Sequence, residues 1–338
     1  MFKKLRLKKT LAFSVIALLG ISLSGCSPAD QDLQDATLTI YSGRNEDLVQ
    51  QVIDDFTAET GIAVEVRYAG GAELAAQILE EGENSPADIF FSQDAGALGS
   101  LSKAGLLKTI PQELLDLVPS AYSARDGKWV GISGRIRVLN YNPEKVTDLP
   151  KSVFDLAEPQ WKGRIAIAPT NASFQSFVTA MRVLEGEDKT LEWLKAMKTN
   201  AVLFEKNSAI LEAVEAGTVD AGLINHYYWY AKGKEVGMEN LKSRITQFKD
   251  QDVGNLINVA GVGMVHDSAA AKLFVEYLLS QSAQEYFASQ TSEYPLIAGV
   301  PQTISLPALE EVPAPNIDLS DLDSLSETLD LIREAGLI

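Results

Sequence analysis

Cysteine occurs once and histidine twice in 338 residues, so a disulfide within the chain and a Cys- or His-built metal centre are both excluded. With no His pair and no Gly-x-Ser-x-Gly elbow, the chain offers no assembly of nucleophile and base, which argues against an enzyme. Carboxylate pairs such as Glu80 with Glu81 and Asp54 with Asp55 fall on solvated helix faces. Positive charge is scarce: 29 Lys and Arg stand against 46 Asp and Glu, for a formal net charge of −17. Acidity of this size excludes nucleic acid as a partner and favours solubility and repulsion between copies, so a monomer is expected. Long hydrophobic runs are also lacking. The single apolar stretch, residues 11–23, is too short to span a bilayer comfortably.

That stretch follows Lys3, Lys4, Arg6, Lys8 and Lys9, the charged-then-apolar order of a signal peptide over residues 1–25. Leu23, Ser24, Gly25 and Cys26 resemble the lipobox of bacterial lipoproteins, which implies that Cys26 is lipidated and that residues 26–36 form a tether to the membrane. Cleavage before Cys26 removes five positive charges and no acidic ones, taking the net charge from −17 to −22. An extracytoplasmic, lipid-anchored protein is expected. The roughly 300 remaining residues suffice for about two domains.

Residues 37–41 alternate as a strand, and Leu48, Val49, Val52, Ile53 and Phe56 then recur at helical spacing until Gly61. Residues 62–68 read as a strand, Leu74, Ala75, Ile78 and Leu79 as a helix closed by Gly82, and residues 86–91 as a buried strand. This is a βαβαβ run, the pattern of a parallel sheet with crossover helices. Gly70 and Gly71 make a helix-entry turn, since no Lys-Ser/Thr follows to cradle a phosphate. A second unit follows: strands at 163–168, 201–204 and 221–225, helices at 174–184, 191–197 and 211–216. Residues 132–141 read as a long crossing strand and 253–265 as the return. Two α/β lobes joined by two strands place a ligand cleft between them. Pro313 and Pro315 separate this body from an amphipathic tail helix bearing Leu325, Leu329 and Ile332.

Tyr227 and Tyr228 close the apolar run 220–225. A hard trivalent ion favours phenolate oxygen and can displace a proton that free tyrosine holds to a pKa near ~10. Neighbouring residues of a strand point to opposite faces, so both phenols reach one ion only from a turn or the first helical residues after the strand. The competing reading has one ring packed in a lobe and the other lining a non-metal pocket. Asn171, Ser173, Asn207, Ser208 and Asn225 are neutral donors near helix starts, suited to a small anion or to ordinary capping. Arg44 and Arg135 either neutralise that anion and tune the phenolates or form surface ion pairs. His226 reads as a turn residue and His266 as a solvated strand end.

Six segments taken together, residues 41–44 (YSGR), 80–90, 133–138 (SGRIRV), 206–208 (KNS), 225–229 (NHYYW) and 293–296 (EYPL), resemble in order and spacing the bacterial ferric-iron-binding periplasmic proteins. The resemblance implies an α/β, two-lobe, type II periplasmic-binding fold that closes on Fe3+ and passes it to an ABC permease. It implies Tyr227 and Tyr228 as tyrosinate ligands, and Asn171, Ala172, Ser173, Asn207 and Asn225 as the pocket for a synergistic anion such as carbonate or phosphate. A histidine and a glutamate that serve as ligands in some members fall at Asn45 and Gln93, and a third tyrosine found near Asn171 in others is absent. The ion is then left to two tyrosines, anion and water, with Glu46, Asp94 and Tyr41 as further candidates and Arg44 and Arg135 as cleft residues.

The expected division is an N-terminal lobe of 37–131 with 259–308 and a C-terminal lobe of 132–258 with 309–338. The alternatives are a receptor for a small anion or organic solute, such as a phosphonate, thiamine or a polyamine, and a sensory lipoprotein that presents its ligand without import.

Overall fold

The structure, a computed structural model, describes residues 36–305 and 307–338. The signal peptide, Cys26 and nearly all of the expected tether lie outside the described residues. Strand β1 (Thr37–Ser42) is flanked by two parallel partners, β2 (Ala63–Tyr68) and β3 (Ile89–Ser92). Helices α1 (Glu46–Thr60) and α2 (Gly71–Glu81) are the crossovers. α1 buries Val49, Val52, Ile53 and Phe56, the face its sequence spacing predicts, and Gly61 ends it in the left-handed region at φ 75°. Every residue of β3 is buried, as a strand covered on both faces requires. Helix α3 (Ala95–Lys103) follows β3, and Asp94 caps it by accepting from the Gly96 and Ala97 amides.

Strand β4 (Val130–Tyr141) joins the two halves of the sheet. Its first part pairs antiparallel with β9 (Ile257–Met264), which in turn pairs with β3. Its last part, from Arg137, pairs antiparallel with β7 (Ala221–Asn225) and β8 (Arg244–Thr246). The second half is completed by β5 (Ile165–Ile167), parallel to both β7 and β6 (Ala201–Leu203). The full order is β2-β1-β3-β9-β4-β7-β5-β6, with β10 (Tyr294–Pro295) also on β4. The expected crossing strand and its return are thus β4 and β9.

Helices α4 (Ala172–Glu185), α5 (Glu187–Asn200), α6 (Asn207–Glu215) and α7 (His226–Val236) cover the second half. α8 (Ala269–Leu278) and α9 (Gln281–Ser289) return to the first half, where Phe274 sets its ring edge-on to Phe56 at 5.1 Å. The tail touches both halves. Its helix α10 (Leu325–Glu334) packs on α4 and α5. The turn Leu319–Leu322 just before it lies on α3, with Arg125 paired to Asp318 at 3.3 Å. Among the described residues no helix is long and apolar enough to cross a membrane.

Candidate functional site

Both halves of the sheet send strand ends and helix starts toward one cleft of about 570 Å³. The first half lines it with Arg44, Asn45, Glu46, Gly70, Gly71 and Gln93, the second with Asn171, Ala172, Gln175, Lys206, Ser208 and Tyr228. Gly43 and Gly71 allow this wall to close up, since a Cβ on Gly43 would stand 2.9 Å from the Gly71 Cα.

Tyr227 and Tyr228 are the second and third residues of α7, the placement that lets neighbouring phenols face one point. Their ring centroids are 4.4 Å apart at 32°. The Tyr227 hydroxyl accepts from Gln93 Nε2 at 2.9 Å, which bridges the cleft, and from Asn225 Nδ2 at 3.5 Å. Tyr227 is 1% exposed, while Tyr228 keeps part of its ring on the cleft. Burial pushes the Tyr228 phenol well above its ordinary value, and neighbouring Tyr227 adds to the shift while Arg44 and Arg135 oppose it. At neutral pH the Tyr228 phenol is therefore held protonated.

Around the phenols, the N-termini of α4, α6 and α7 converge on the Ser173 hydroxyl. Asn171 caps α4, its Oδ1 accepting from the Ser173 amide at 3.1 Å and the Ser173 hydroxyl at 2.6 Å. Asn225 Nδ2 donates to Ser173 Oγ at 3.1 Å, and Asn207 Nδ2 does so at 3.4 Å. Asn225 occupies the capping position of α7 yet makes no side-chain cap, its amide turned into the cluster instead. Asn207 Oδ1 is buried and finds no partner among the described residues. Simple capping thus explains Asn171 but neither Asn207 nor Asn225. Three helix N-termini, each carrying partial positive charge, thus meet at one polar cluster beside the phenols.

Beneath the tyrosines lies a buried charge cluster. Arg44 and Arg135 are 2% and 1% exposed, which overturns the surface ion-pair reading. Arg44 Nη1 and Nη2 grip the two Glu293 oxygens at 2.9 and 2.6 Å. Burial alone would lower the Arg44 pKa, but Glu293 and then the two tyrosines more than reverse it. Arg135 and Arg137 find no hydrogen-bond partner for Nη1 or Nη2 among the described residues. Burial lowers both, Arg137 to about 9 with the neighbouring Arg135 charge contributing. Against these three guanidiniums stand Glu293 and Asp94. The Asp94 carboxyl is raised by burial and already engaged by the Gly96 and Ala97 amides and Ser176. The cluster's cationic excess favours negative charge on the phenols or on an anion beside them.

The other candidates separate. Asn45 and Glu46 are exposed at the cleft mouth. Tyr41 is not at the cleft: its hydroxyl donates to Glu81 at 3.2 Å and accepts from Gln77 at 3.1 Å. Asp94 is a buried helix cap whose Oδ1 accepts from the Gly96 and Ala97 amides and from Ser176, and it does not line the cleft. His226 is no mere turn residue. It is fully buried, and that burial lowers its pKa to about 4. His266 is half-buried, with Nε2 bonded to the Ser85 carbonyl at 2.7 Å. Arg137 and Glu293 carried no assigned role in the sequence. The two-residue spacing of Arg135 and Arg137 along a strand was the available signal that both face one side. Among the described residues no group of three or more His, Cys, Asp or Glu is placed to hold a metal.

A family model described as bacterial extracellular solute-binding protein matches residues 84–325. The Fe(3+)-binding periplasmic protein of Serratia marcescens is 37% identical over 329 residues, 96% of this chain and 97% of that protein. The major ferric iron-binding protein of Neisseria meningitidis, serogroup A, is 38% identical over 331 residues, 95% of this chain and 98% of that protein. Iron-bound HitA from Pseudomonas aeruginosa superposes with a TM-score of 0.84 at 37% identity, covering 89% of this chain and all of that one. Trichodesmium IdiA (FutA), in complex with iron and citrate ligands, gives 0.72 at 30% identity, over 90% of this chain and 100% of that one.

Proposed function

This chain belongs to the bacterial extracellular solute-binding protein family, among its ferric-iron-binding periplasmic members, and we propose that it captures Fe3+ through the Tyr227 and Tyr228 phenolates with a synergistic anion and delivers it to an ABC permease. The fold is the two-lobe type II periplasmic-binding fold, and the protein is a transport component rather than an enzyme.

The observation that carries the reading is the close phenol pair at the start of α7, 4.4 Å ring to ring. Tyr228 lines a cleft whose residues come from both sheet halves, and Tyr227 behind it meets Gln93 of that cleft. Two adjacent phenolates supply hard anionic oxygens that suit a trivalent ion. The donors Asn171, Ala172, Ser173, Asn207 and Asn225 hold carbonate or phosphate at the converging helix ends, and the anion completes the ion's coordination. Arg44 and Arg135 set the charge of the phenols. Asn45 and Gln93 are neutral here, so neither adds negative charge to the ion.

Residues 37–131 with 259–308 form one lobe and residues 132–258 with 309–338 the other, hinging at β4 and β9. The chain works outside the cytoplasm, as a monomer held to the membrane by lipid on Cys26. The neutrality of Asn45 and Gln93 also suits a small anion or organic solute, such as a phosphonate, thiamine or a polyamine. Titrating ligand-free protein with ferric ion on a weak chelator decides between the two. One equivalent bound with a visible tyrosinate-to-iron band supports iron capture. Retention of an organic solute with no iron band would replace it.

A further inference from the structure

His226 immediately precedes the phenol pair yet faces away from the cleft, with none of its surface exposed. Its ring nitrogens meet two backbone groups of opposite kind. The Ile136 amide of β4 donates to Nδ1 at 3.2 Å, and the Ser292 carbonyl oxygen lies 2.9 Å from Nε2. Only one arrangement satisfies both: Nδ1 bare and accepting, Nε2 protonated and donating.

Ser292 is buried at φ 60°, a left-handed conformation that a residue with a side chain seldom adopts. Such a conformation persists where the surroundings hold it, and here it aims the carbonyl at the imidazole. The next residue, Glu293, grips Arg44, which lines the cleft beside Tyr228. One ring, carried by the first residue of the tyrosine helix, thus joins the shared strand to the turn that carries the Glu293–Arg44 pair.

We propose that His226 is a positioning residue of the ferric site: by tying the start of α7 to the Ser292 turn, it sets the Tyr227 and Tyr228 oxygens at a fixed distance from the Arg44 charge. This rests on the ferric reading above. The Ser292 bond is the one that couples, because it alone reaches the turn behind Arg44. The Ile136 bond holds the ring on a strand that β9 already fixes in register. The competing role is space filling, since Tyr294 and Tyr230 pack on the ring at 5.1 and 6.3 Å.

Two amide variants separate the links. In His226→Asn the side-chain oxygen takes the place of Nδ1, keeping the Ile136 bond and losing Ser292. In His226→Gln the amide nitrogen takes the place of Nε2, keeping Ser292 and leaving the Ile136 amide without its partner. Ferric affinity by chelator competition, the tyrosinate-to-iron band and thermal midpoints are measured for both. The Asn variant is expected to bind iron about tenfold more weakly, the worth of one buried hydrogen bond, with a displaced band. The Gln variant is expected to melt earlier but keep the wild-type band and an affinity within about threefold. Equal effects in the two variants, or none in either, would overturn the proposal. If the wild type itself gives no iron band, the ferric reading fails, and near-ultraviolet dichroism of the ligand-free proteins still judges the positioning. A tyrosine signal altered in the Asn variant and preserved in the Gln variant sustains it, and identical signals refute it.

Discussion

At the residue scale the central observation is the Tyr228 phenol, whose proton burial holds more tightly than usual. Burial and Tyr227 raise the Tyr228 pKa, so on the proposed phenolate ligation loading releases a proton, and ferric affinity should rise with pH, about tenfold per unit for each proton displaced. Chelator competition between about pH 6 and about pH 8 measures this, and a flat profile would contradict phenolate ligation. Glu293 gives a second test. Burial would raise its carboxyl, but the Arg44 fork outweighs this and holds it below its ordinary 4.5. A depressed carboxylate contributes stability that is present above the unfolded-state value and is lost as pH falls through the lower folded value. Glu293→Gln should cost about 3–5 kcal/mol near neutral pH, because it leaves Arg44 buried and unpaired, and should remove this part of the acid dependence. Urea midpoints across the acid range check both. The tyrosine pair was legible because adjacency and a preceding apolar strand identify it locally. Arg44 was not legible as a buried ion, since its partner lies 249 residues away and a charged side chain after a strand reads as surface.

At the scale of elements, long apolar-periodic segments declared themselves. The helix after β1, the strand 221–225 and the crossing strand all lie where the spacing puts them. Helix α3 was invisible because AGALGSLSK is too rich in small residues to show an apolar stripe, and its small face is what lets the tail turn approach. A Cβ on Gly99 would stand 3.1 Å from the Asp323 Cα. The short strands β8 and β10 carry too few residues for any period to emerge. Strand β4 slips register between Gly131 and Ser133, and a Cβ on Gly131 would stand 2.6 Å from the Tyr122 carbonyl oxygen. Backbone cannot yield as a side-chain tip does. Gly131→Ala should therefore destabilise the fold by about 1–3 kcal/mol, seen as a lower urea midpoint at unchanged slope. An unchanged midpoint would show that β4 tolerates movement at this bulge.

For the whole molecule, two strands and a tail segment connect the halves, and the Gln93–Tyr227 bond spans the cleft between them. A ligand that touches both sides biases such a molecule toward closure only through contacts absent from the open state. Ferric loading should lower the radius of gyration in solution scattering, and superimposable curves with and without iron would remove hinge closure from the mechanism. The paired phenols remain the claim on which the rest depends, and visible absorption after ferric addition to the wild type, Tyr227→Phe and Tyr228→Phe tests it most directly. Each substitution keeps the ring and deletes one proposed ligating oxygen, so Tyr228→Phe should stay within about 1 kcal/mol of the wild type in stability. Tyr227→Phe, which leaves Gln93 Nε2 without its acceptor, should cost about 1–3 kcal/mol and still fold. The predicted result is a tyrosinate-to-iron band in the wild type and its loss, together with ferric affinity, in both variants. Wild-type ferric affinity in both Phe variants would contradict it.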